Sequence, residues 1–446
     1  MLSDSPVAPS FAKARYMALA AAFLGWMFDG VEMGMFPLCA KPALTEMFGP
    51  TAKPADIGVW LGVVNAMFLI GAAAGGVVFG WLGDRVGRVR AMTVAVLVYS
   101  LFSAMAAFAV EPWQLAGPRL LASFGMGGEW ALGVALVMEA WPSTSRPLMA
   151  GLIGAAANLG FLLIAMVGLT IATFINTIDP VLHSFLPDAI ATAATAHQAW
   201  RLLLFLGAMP AVLTLFIVFF VPESESWKKS AAGAPKNHIG DIFKSGLGAL
   251  VWKASALSAL TLLGTWGSTQ QMPGWAGGLA ATTPADWHLT PAETTSYTQM
   301  VSGFGACVGC MLGALVAQWA NRRWTFFGMA ALSLISSQIL FRVPVHFGPG
   351  FLVGVFLVGG ITASFYGWLP LYLPELFPTR IRATAQGFCY NAGRVFAAAG
   401  AVGGGALLTS FGGDYQRMCA VVSLIYIPAL IVIWFCPETK GRELPA

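Results

Sequence analysis

Apolar residues run along the chain in twelve windows, near residues 15–39, 57–82, 90–110, 115–140, 146–176, 198–222, 247–280, 294–319, 324–342, 348–373, 383–410 and 415–436. Most are about 20 residues or longer, the length an α-helix needs to cross a hydrocarbon core roughly 30 Å thick. Gly, Pro and Trp interrupt or flank them, as they do in membrane helices. Polar residues collect in short segments between the windows, with one longer stretch, SESWKKSAAGAPKNHIGDIFK at 224–244. The pattern predicts an all-α integral membrane protein of twelve transmembrane helices. A bundle over residues 1–222 and a second over 247–446, ending in a short tail, are joined by a polar linker over 223–246.

The two halves are related. EAWPSTSRPLMAG at 139–151 lies on ELFPTRIRATAQG at 375–387 with Glu, Pro, Arg and Gly in register. The ends agree too: Trp200-Arg201 leads through Pro210 to Pro222-Glu223-Ser224, and Gln416-Arg417 leads through Pro428 to Pro437-Glu438-Thr439. A longer outer loop in the first half, near 177–197, accounts for the shorter offset there. The fold class is therefore two pseudo-symmetric six-helix bundles.

Composition reinforces the membrane assignment: 57% of the 446 residues are hydrophobic and 10% charged, with mean hydropathy +0.74. The net charge of +4 is a topology signal. With the N-terminus inside, the inner segments hold Lys13, Arg15, Arg85, Arg88, Arg90, Arg146, Lys228, Lys229, Lys236, Lys244, Arg322, Arg323, Arg380, Arg382, Lys440 and Arg442, while only Lys41, Lys53 and Arg342 fall outside. That asymmetry predicts both termini in the cytoplasm of a cell whose inner (plasma) membrane the chain spans, and nucleic acid need not be invoked. The start, MLSDSPVAPSFAKARY, lacks a short apolar core with a small-residue cleavage site, so no removable signal peptide is expected. Cys307 and Cys310 form a lone pair without a second pair or a His cluster, which reads as packing; no metal is expected. The histidines, at 183, 197, 238, 288 and 346, fall in loops or at span ends, and no phosphate loop or catalytic constellation stands beside them, so an enzyme reading has no support.

The loop GWLGDRVGRVR at 80–90 carries an acid between two glycines and then spaced arginines. Gly83 and Gly87 permit a tight turn, and Asp84 is placed to accept from the amides opening the third helix and to pair with Arg88. These residues resemble the signature loop of the major facilitator superfamily, and the resemblance extends along almost the whole chain. It implies that Asp84, Arg85 and Arg88 stabilise one of two alternating conformations. In the second half the matching stretch is QWANRRWTF, where Ala320 stands for the acid and the glycine is missing, so a weakened second lock is expected. WMFDGVE at 26–32, RLLASFGMGGEW at 119–130, the Glu139 run and Trp200-Arg201 resemble the metabolite and sialate/lactate proton symporters of that superfamily. PESESW and PETKGREL are similar to half-ending motifs that sugar porters also carry. Residues 265–271, TWGSTQQ, are similar to a substrate-contacting stretch of lactate transporters, with Trp266 where a histidine is expected.

A charge at membrane depth costs roughly 2.5–3.5 kcal/mol on insertion scales, so it is expected to face a bundle interior with a partner. Asp29 and Glu32 share a face of the first helix. Arg119 enters with the fourth helix at the depth of Asp29 and is expected to pair with it. Glu129, roughly 15 Å further along that helix, reads as a second, inner acid. Asp29, Glu32 and Glu129 are the candidate proton-coupling groups. Arg119 and Arg394, with Trp266, Gln270, Gln271, Tyr366 and Asn391, are the candidate substrate ligands, and two intramembrane arginines suggest an anionic cargo. Phe28 and Trp368 are further candidates for the cavity wall, and Trp60, Trp113 and Trp287 for the interfacial belt. Glu139, Arg146, Glu375 and Arg382 read as gate or loop salt bridges beside Asp84, Arg85 and Arg88.

These features predict a monomeric, proton-coupled symporter that imports a small organic anion, such as a monocarboxylate or sugar acid, by alternating access. The proton gradient drives it and no cofactor is expected. A neutral sugar or polyol symporter is the alternative within the class. A non-transporting nutrient receptor is the rival from another class, and the brief tail PETKGRELPA offers it no signalling extension.

Overall fold

A computed structural model describes residues 9–445 except 52, 233–236, 245, 284–286, 288 and 344–345, and all its regular elements are helical. Lys236, His288 and the first eight residues, which entered the expectations above, lie outside the described residues. The first half comprises α1 (Pro9–Phe48), α2 (Pro54–Val86), α3 (Arg88–Ala106), α4 (Pro112–Ala140), α5 (Arg146–Phe185), α6 (Asp188–Leu206) and α7 (Pro210–Phe220). The linker carries the short α8 (Glu225–Ala231). The second half comprises α9 (Gly248–Gly267), α10 (Met272–Gly278), α11 (Pro291–Trp319), α12 (Arg322–Arg342), α13 (Pro349–Leu376), α14 (Arg382–Ser410), α15 (Tyr415–Val422) and α16 (Tyr426–Val432). Eleven stretches among the described residues are long and apolar enough to cross a membrane. The remaining window, 383–410, coincides with α14, whose 29 residues span roughly 43 Å at the usual helical rise.

Three windows are broken helices. Pro210 lacks an amide hydrogen, and the chain turns at Gly207–Met209 between α6 and α7. The last window passes through a 3-10 turn at Ser423–Ile425 before α16. The seventh stops at Gly267 and restarts at Met272 through a 3-10 turn at Thr269–Gln271, so the TWGSTQQ stretch is the break itself. The expected loop near 177–197 is instead mostly helix: α5 continues to Phe185, and the alanine-rich α6 begins after Leu186-Pro187. Alanine's high helix propensity explains the difference.

In the first half α2 packs on α4, α1 on α5 and α3 on α4; in the second, α11 packs on α13 and α12 on α13. Across the halves α14 lies along α2 and also touches α4, while α5 lies against α11 and α13. The α2–α14 crossing is backbone on backbone: a Cβ on Gly387 would sit 1.9 Å from the carbonyl oxygen of Gly76. Only glycine fits there. Large apolar side chains such as Leu101, Val212, Phe219, Trp319 and Phe396 face outward, as lipid contact requires. Of the three tryptophans read as belt residues, Trp113 and Trp287 are exposed and Trp60 is half-buried against the outer core cluster.

Candidate functional site

A cavity of about 80 Å³ lies between the halves at mid-depth. The first half contributes Trp26 and Met33 from α1, and Asn158 and Phe161 from α5. The second contributes Thr265, Trp266, Thr269 and Gln270 from the broken seventh span, Gln299 and Ser302 from α11, Thr362 and Tyr366 from α13, and Tyr390 and Arg394 from α14. Among the described residues Arg394 is the one charged side chain on the wall. A helix interrupted at mid-membrane exposes backbone and short polar side chains to a cavity, which is where such breaks are tolerated.

Four of the expected substrate ligands, Trp266, Gln270, Tyr366 and Arg394, are on this wall; Gln271, Asn391 and Arg119 are not. Gln271 turns back and donates to the Trp266 carbonyl at 3.1 Å. Asn391 donates to the carbonyls of Gly387 (2.9 Å) and Gly127 (3.3 Å), bracing α14 against α4. Trp368 stacks on Tyr372 and packs against Phe326 in the second half's core, and Phe28 packs against the large core cluster, so neither lines the cavity. Asn158, Gln299, Ser302, Thr362 and Tyr390 were not foreseen. For Asn158 a signal existed: the offset of 236 that aligns the repeats places it opposite Arg394.

Arg119 is buried beside the cavity and ion-paired with Glu32, not with Asp29. The expectation compared depths along the chain. Arg119 meets α1 about one turn further toward Phe36, whose ring lies 5.0 Å from the guanidinium. Phe68 of α2 stands between the two arginines, 4.6 Å from Arg119 and 6.0 Å from Arg394. Asp29 faces Glu129, which corrects the reading of Glu129 as a separate inner acid. Gly25 makes the room, since a Cβ there would meet Glu129 Oε1 at 1.7 Å. All four oxygens of Asp29 and Glu129 are buried without a protein hydrogen-bond donor among the described residues. Two like charges in contact in a low-dielectric interior cannot both stay ionised. A bound proton would supply the donor the pair lacks.

On the side toward the linker, aromatic rings close the cavity. Trp130 of α4 stacks on Tyr390 of α14, centroids 3.7 Å apart, and Trp26 meets Tyr390 edge-on at 6.3 Å. Beyond them lies a buried ionic lattice between the halves. Arg88 pairs with Asp84 (2.6 Å) and Glu139 (3.1 Å) and donates to the Thr379 carbonyl (2.7 Å). Glu139 also pairs with Arg382 at 2.8 Å and accepts from Ser224. Asp84 accepts from the amides of Ala383 (3.1 Å) and Thr384 (2.7 Å) and from the Thr384 hydroxyl (2.5 Å). It thus binds the opening amides of α14, in the other half, and not those of the third helix as expected. Glu223 takes that place, accepting from Arg88 and Val89 at the start of α3. Gly87, at φ 115°, makes the turn that glycine adopts without strain.

Of the four residues read as gate or loop salt bridges, Glu139 and Arg382 pair across the halves, while Arg146 and Glu375 do not pair with either of them. Arg146 donates to the carbonyls of Met138 (3.0 Å) and Trp141 (3.1 Å), closing the end of α4. Glu375 receives Arg322 through two bonds, 2.7 and 3.0 Å, and the Thr439 hydroxyl at 2.6 Å. Arg85 stays outside the lattice, stacked on Trp81 at 5.1 Å. Cys307 and Cys310 sit where α11 meets α5 and α13, against the carbonyls of Ala155 and Ala363.

The sequence pattern of the Major Facilitator Superfamily matches residues 17–401. The chain is 30% identical over 422 residues to a probable 4-methylmuconolactone transporter of Cupriavidus pinatubonensis, covering 94% of this chain and 90% of that one. It is 25% identical over 393 residues to a cis,cis-muconate transport protein of Acinetobacter baylyi, covering 86% and 85%. Among solved structures, the proton:xylose symporter XylE superposes with a TM-score of 0.75 at 18% identity, over 97% of this chain and 98% of that one.

Proposed function

The chain belongs to the major facilitator superfamily and is a multi-pass transporter of small organic substrates, not an enzyme; on that premise we propose that it is a proton-coupled symporter importing an organic carboxylate. One observation carries the reading: a cavity whose single charge among the described residues is the guanidinium of Arg394, set among Trp26, Trp266, Tyr366 and Tyr390. A guanidinium holds a carboxylate with two parallel hydrogen bonds, and aromatic faces suit an unsaturated or ring-bearing body. Relatives named for muconolactone and muconate transport support that cargo class.

Charge balance supports proton coupling. Asp29, Glu32 and Glu129 against Arg119 and Arg394 leave one negative charge in excess, and an anionic cargo adds another. Uptake therefore favours protonation of the Asp29–Glu129 pair first, and release of both proton and cargo follows when the other face opens. The basic residues at the linker side support a cytoplasmic location for that side and both termini, in an inner membrane. In proteoliposomes an inward proton gradient is expected to drive accumulation of a conjugated or aromatic carboxylate. Arg394→Gln should lose binding, and Asp29→Asn should lose accumulation while retaining exchange. Accumulation indifferent to pH, or undiminished in Arg394→Gln, overturns the reading.

A further inference from the structure

The first half buries a set of polar groups on α3, away from the substrate cavity and, unlike the buried serines of α12 at the matching positions, beside carboxylates. Tyr99, Ser100 and Ser103 are buried, and their hydroxyls have no protein hydrogen-bond partner among the described residues. They lie within about one helical turn of each other, on the side of α3 that faces the bundle interior. Tyr99 packs against Gly125 of α4, where a Cβ would come within 2.7 Å of its amide nitrogen. That places its ring one turn of α4 from Glu129. Its hydroxyl is in electrostatic range of Glu129, Asp29 and Glu32 together. Ser103 lies further out along α3. A Cβ on Gly207 would touch both the Ser103 Cβ (2.7 Å) and Glu32 Oε2 (3.2 Å), the Glu32 oxygen that Arg119 leaves unpaired.

The unpartnered atoms thus order themselves from Glu32 past Ser103 and Ser100 to Tyr99 and on to Glu129 and Asp29. Buried polar groups are nearly always hydrogen-bonded, and a run of exceptions at one place calls for a function. The charged and titratable groups facing this run are Asp29, Glu32 and Cys39 on α1, Arg119 and Glu129 on α4, and Arg394 and Tyr390 across the interface on α14.

We propose that Tyr99, with Ser100 and Ser103, forms a proton-positioning face that links Glu32 to the Asp29–Glu129 pair, separate from the path of the cargo. None of these hydroxyls bonds another directly, so water bridging them completes the path: each hydroxyl accepts a proton from one water as it passes its own to the next, the hydroxyls end neutral and the net change is one proton moved between carboxylates. The inference rests on the proton-coupled reading, and its placement away from the cavity wall explains how a proton and an organic anion share the first half without sharing a site. Tyr99 touches no cargo and is a positioning residue.

The test uses the full chain in proteoliposomes with a trapped pH dye, measuring protons and carboxylate taken up together. Tyr99→Phe keeps the ring and removes the hydroxyl. It is expected to cut gradient-driven uptake at least tenfold and to flatten its pH profile, while exchange of cargo at equal pH stays within twofold. Ser100→Ala with Ser103→Ala, which leaves the Tyr99 packing in place, should lower gradient-driven uptake about threefold and decides the matter if Tyr99→Phe melts early. Wild-type uptake without proton movement defeats the proton-coupled reading itself. Coupled wild-type uptake, with both variants coupling equally well, overturns the positioning face alone.

Discussion

The two halves meet the linker side with loops built from one plan, and only one of them reaches across. Backbone contacts give the register: Arg88 donates to the Gly83 carbonyl and Arg322 to that of Ala317, while Glu223 and Glu438 each accept from the two amides that open the next helix. In that register Gln318, not Ala320, stands where Asp84 does, and Asn321 where Gly87 does. Asp84 is 5% exposed and grips the start of α14, whereas Gln318 is exposed. The receiving side differs as well. By the repeat, Ala383 and Thr384 correspond to Pro147 and Leu148, a residue with no amide hydrogen and one with no hydroxyl. The second loop has lost the acid, the amide and the hydroxyl of the lock, and Arg322 settles on Glu375 and Thr439 within its own half. The tie between the halves on this side is therefore one-sided, and opening toward the linker requires one lattice to break. Glu438 itself is partly buried, which opposes its charge, yet the amides of Arg322, Lys440, Arg323 and Thr439 outweigh that and hold its pKa below the ordinary carboxylate value.

The sharpest way to break the comparison is Asp84→Ala. Removing one partner of a buried ion pair costs roughly 3–5 kcal/mol, and here the cost falls on the closed arrangement because α14 loses its cap. Spin-label distances between the ends of α2 and α14 at the linker side should shift to the longer, open population by a hundredfold or more in equilibrium constant; unchanged populations would contradict a cross-half lock. Glu375→Gln comes next. It should lower the melting temperature by several degrees, since Arg322 is left buried with a weaker partner. The same spin-label distances should stay as in the unaltered protein, because the contact does not cross. The smallest effect is expected from Gln318→Asp alone, less than about 0.5 kcal/mol, as Pro147 offers no amide to receive it. Adding Pro147→Ala and Leu148→Thr should convert that into about 1 kcal/mol toward the closed state, read from the same labels. A full effect from Gln318→Asp by itself would show that the receiving side does not matter.

Much of the fold was legible because its signals are local. Helix length and apolarity follow from the requirement that backbone groups in lipid bond within their own segment, and they marked the spans well. The repeat of the Glu139 and Glu375 runs exposed the two halves. Local chemistry also marked Arg394, Trp266 and Tyr366 as cavity residues. What failed was pairing. Arg119 was matched with Asp29 by depth, yet a shift of about one helical turn gives it to Glu32, and that same shift leaves Asp29 facing Glu129. Asn391 looked like a ligand because it is polar and mid-membrane, but α14 lies so close to its neighbours, with Gly76 of α2 making the room, that its amide is consumed by the carbonyls of Gly387 on α14 and Gly127 on α4.

The sequence by itself determined that this chain crosses a membrane in two related bundles, that a signature loop ends α2, and that a few charges are buried. Those properties depend on the hydrophobicity of contiguous segments and on motifs whose parts are neighbours in the chain. Only the tertiary structure decided which acid each arginine meets, which half Asp84 holds, and which polar groups reach the cavity. Those outcomes turn on rotations and slides of one helix against another by a few ångströms, set by glycine contacts between segments hundreds of residues apart, and hydrogen bonds and ion pairs are lost over such distances.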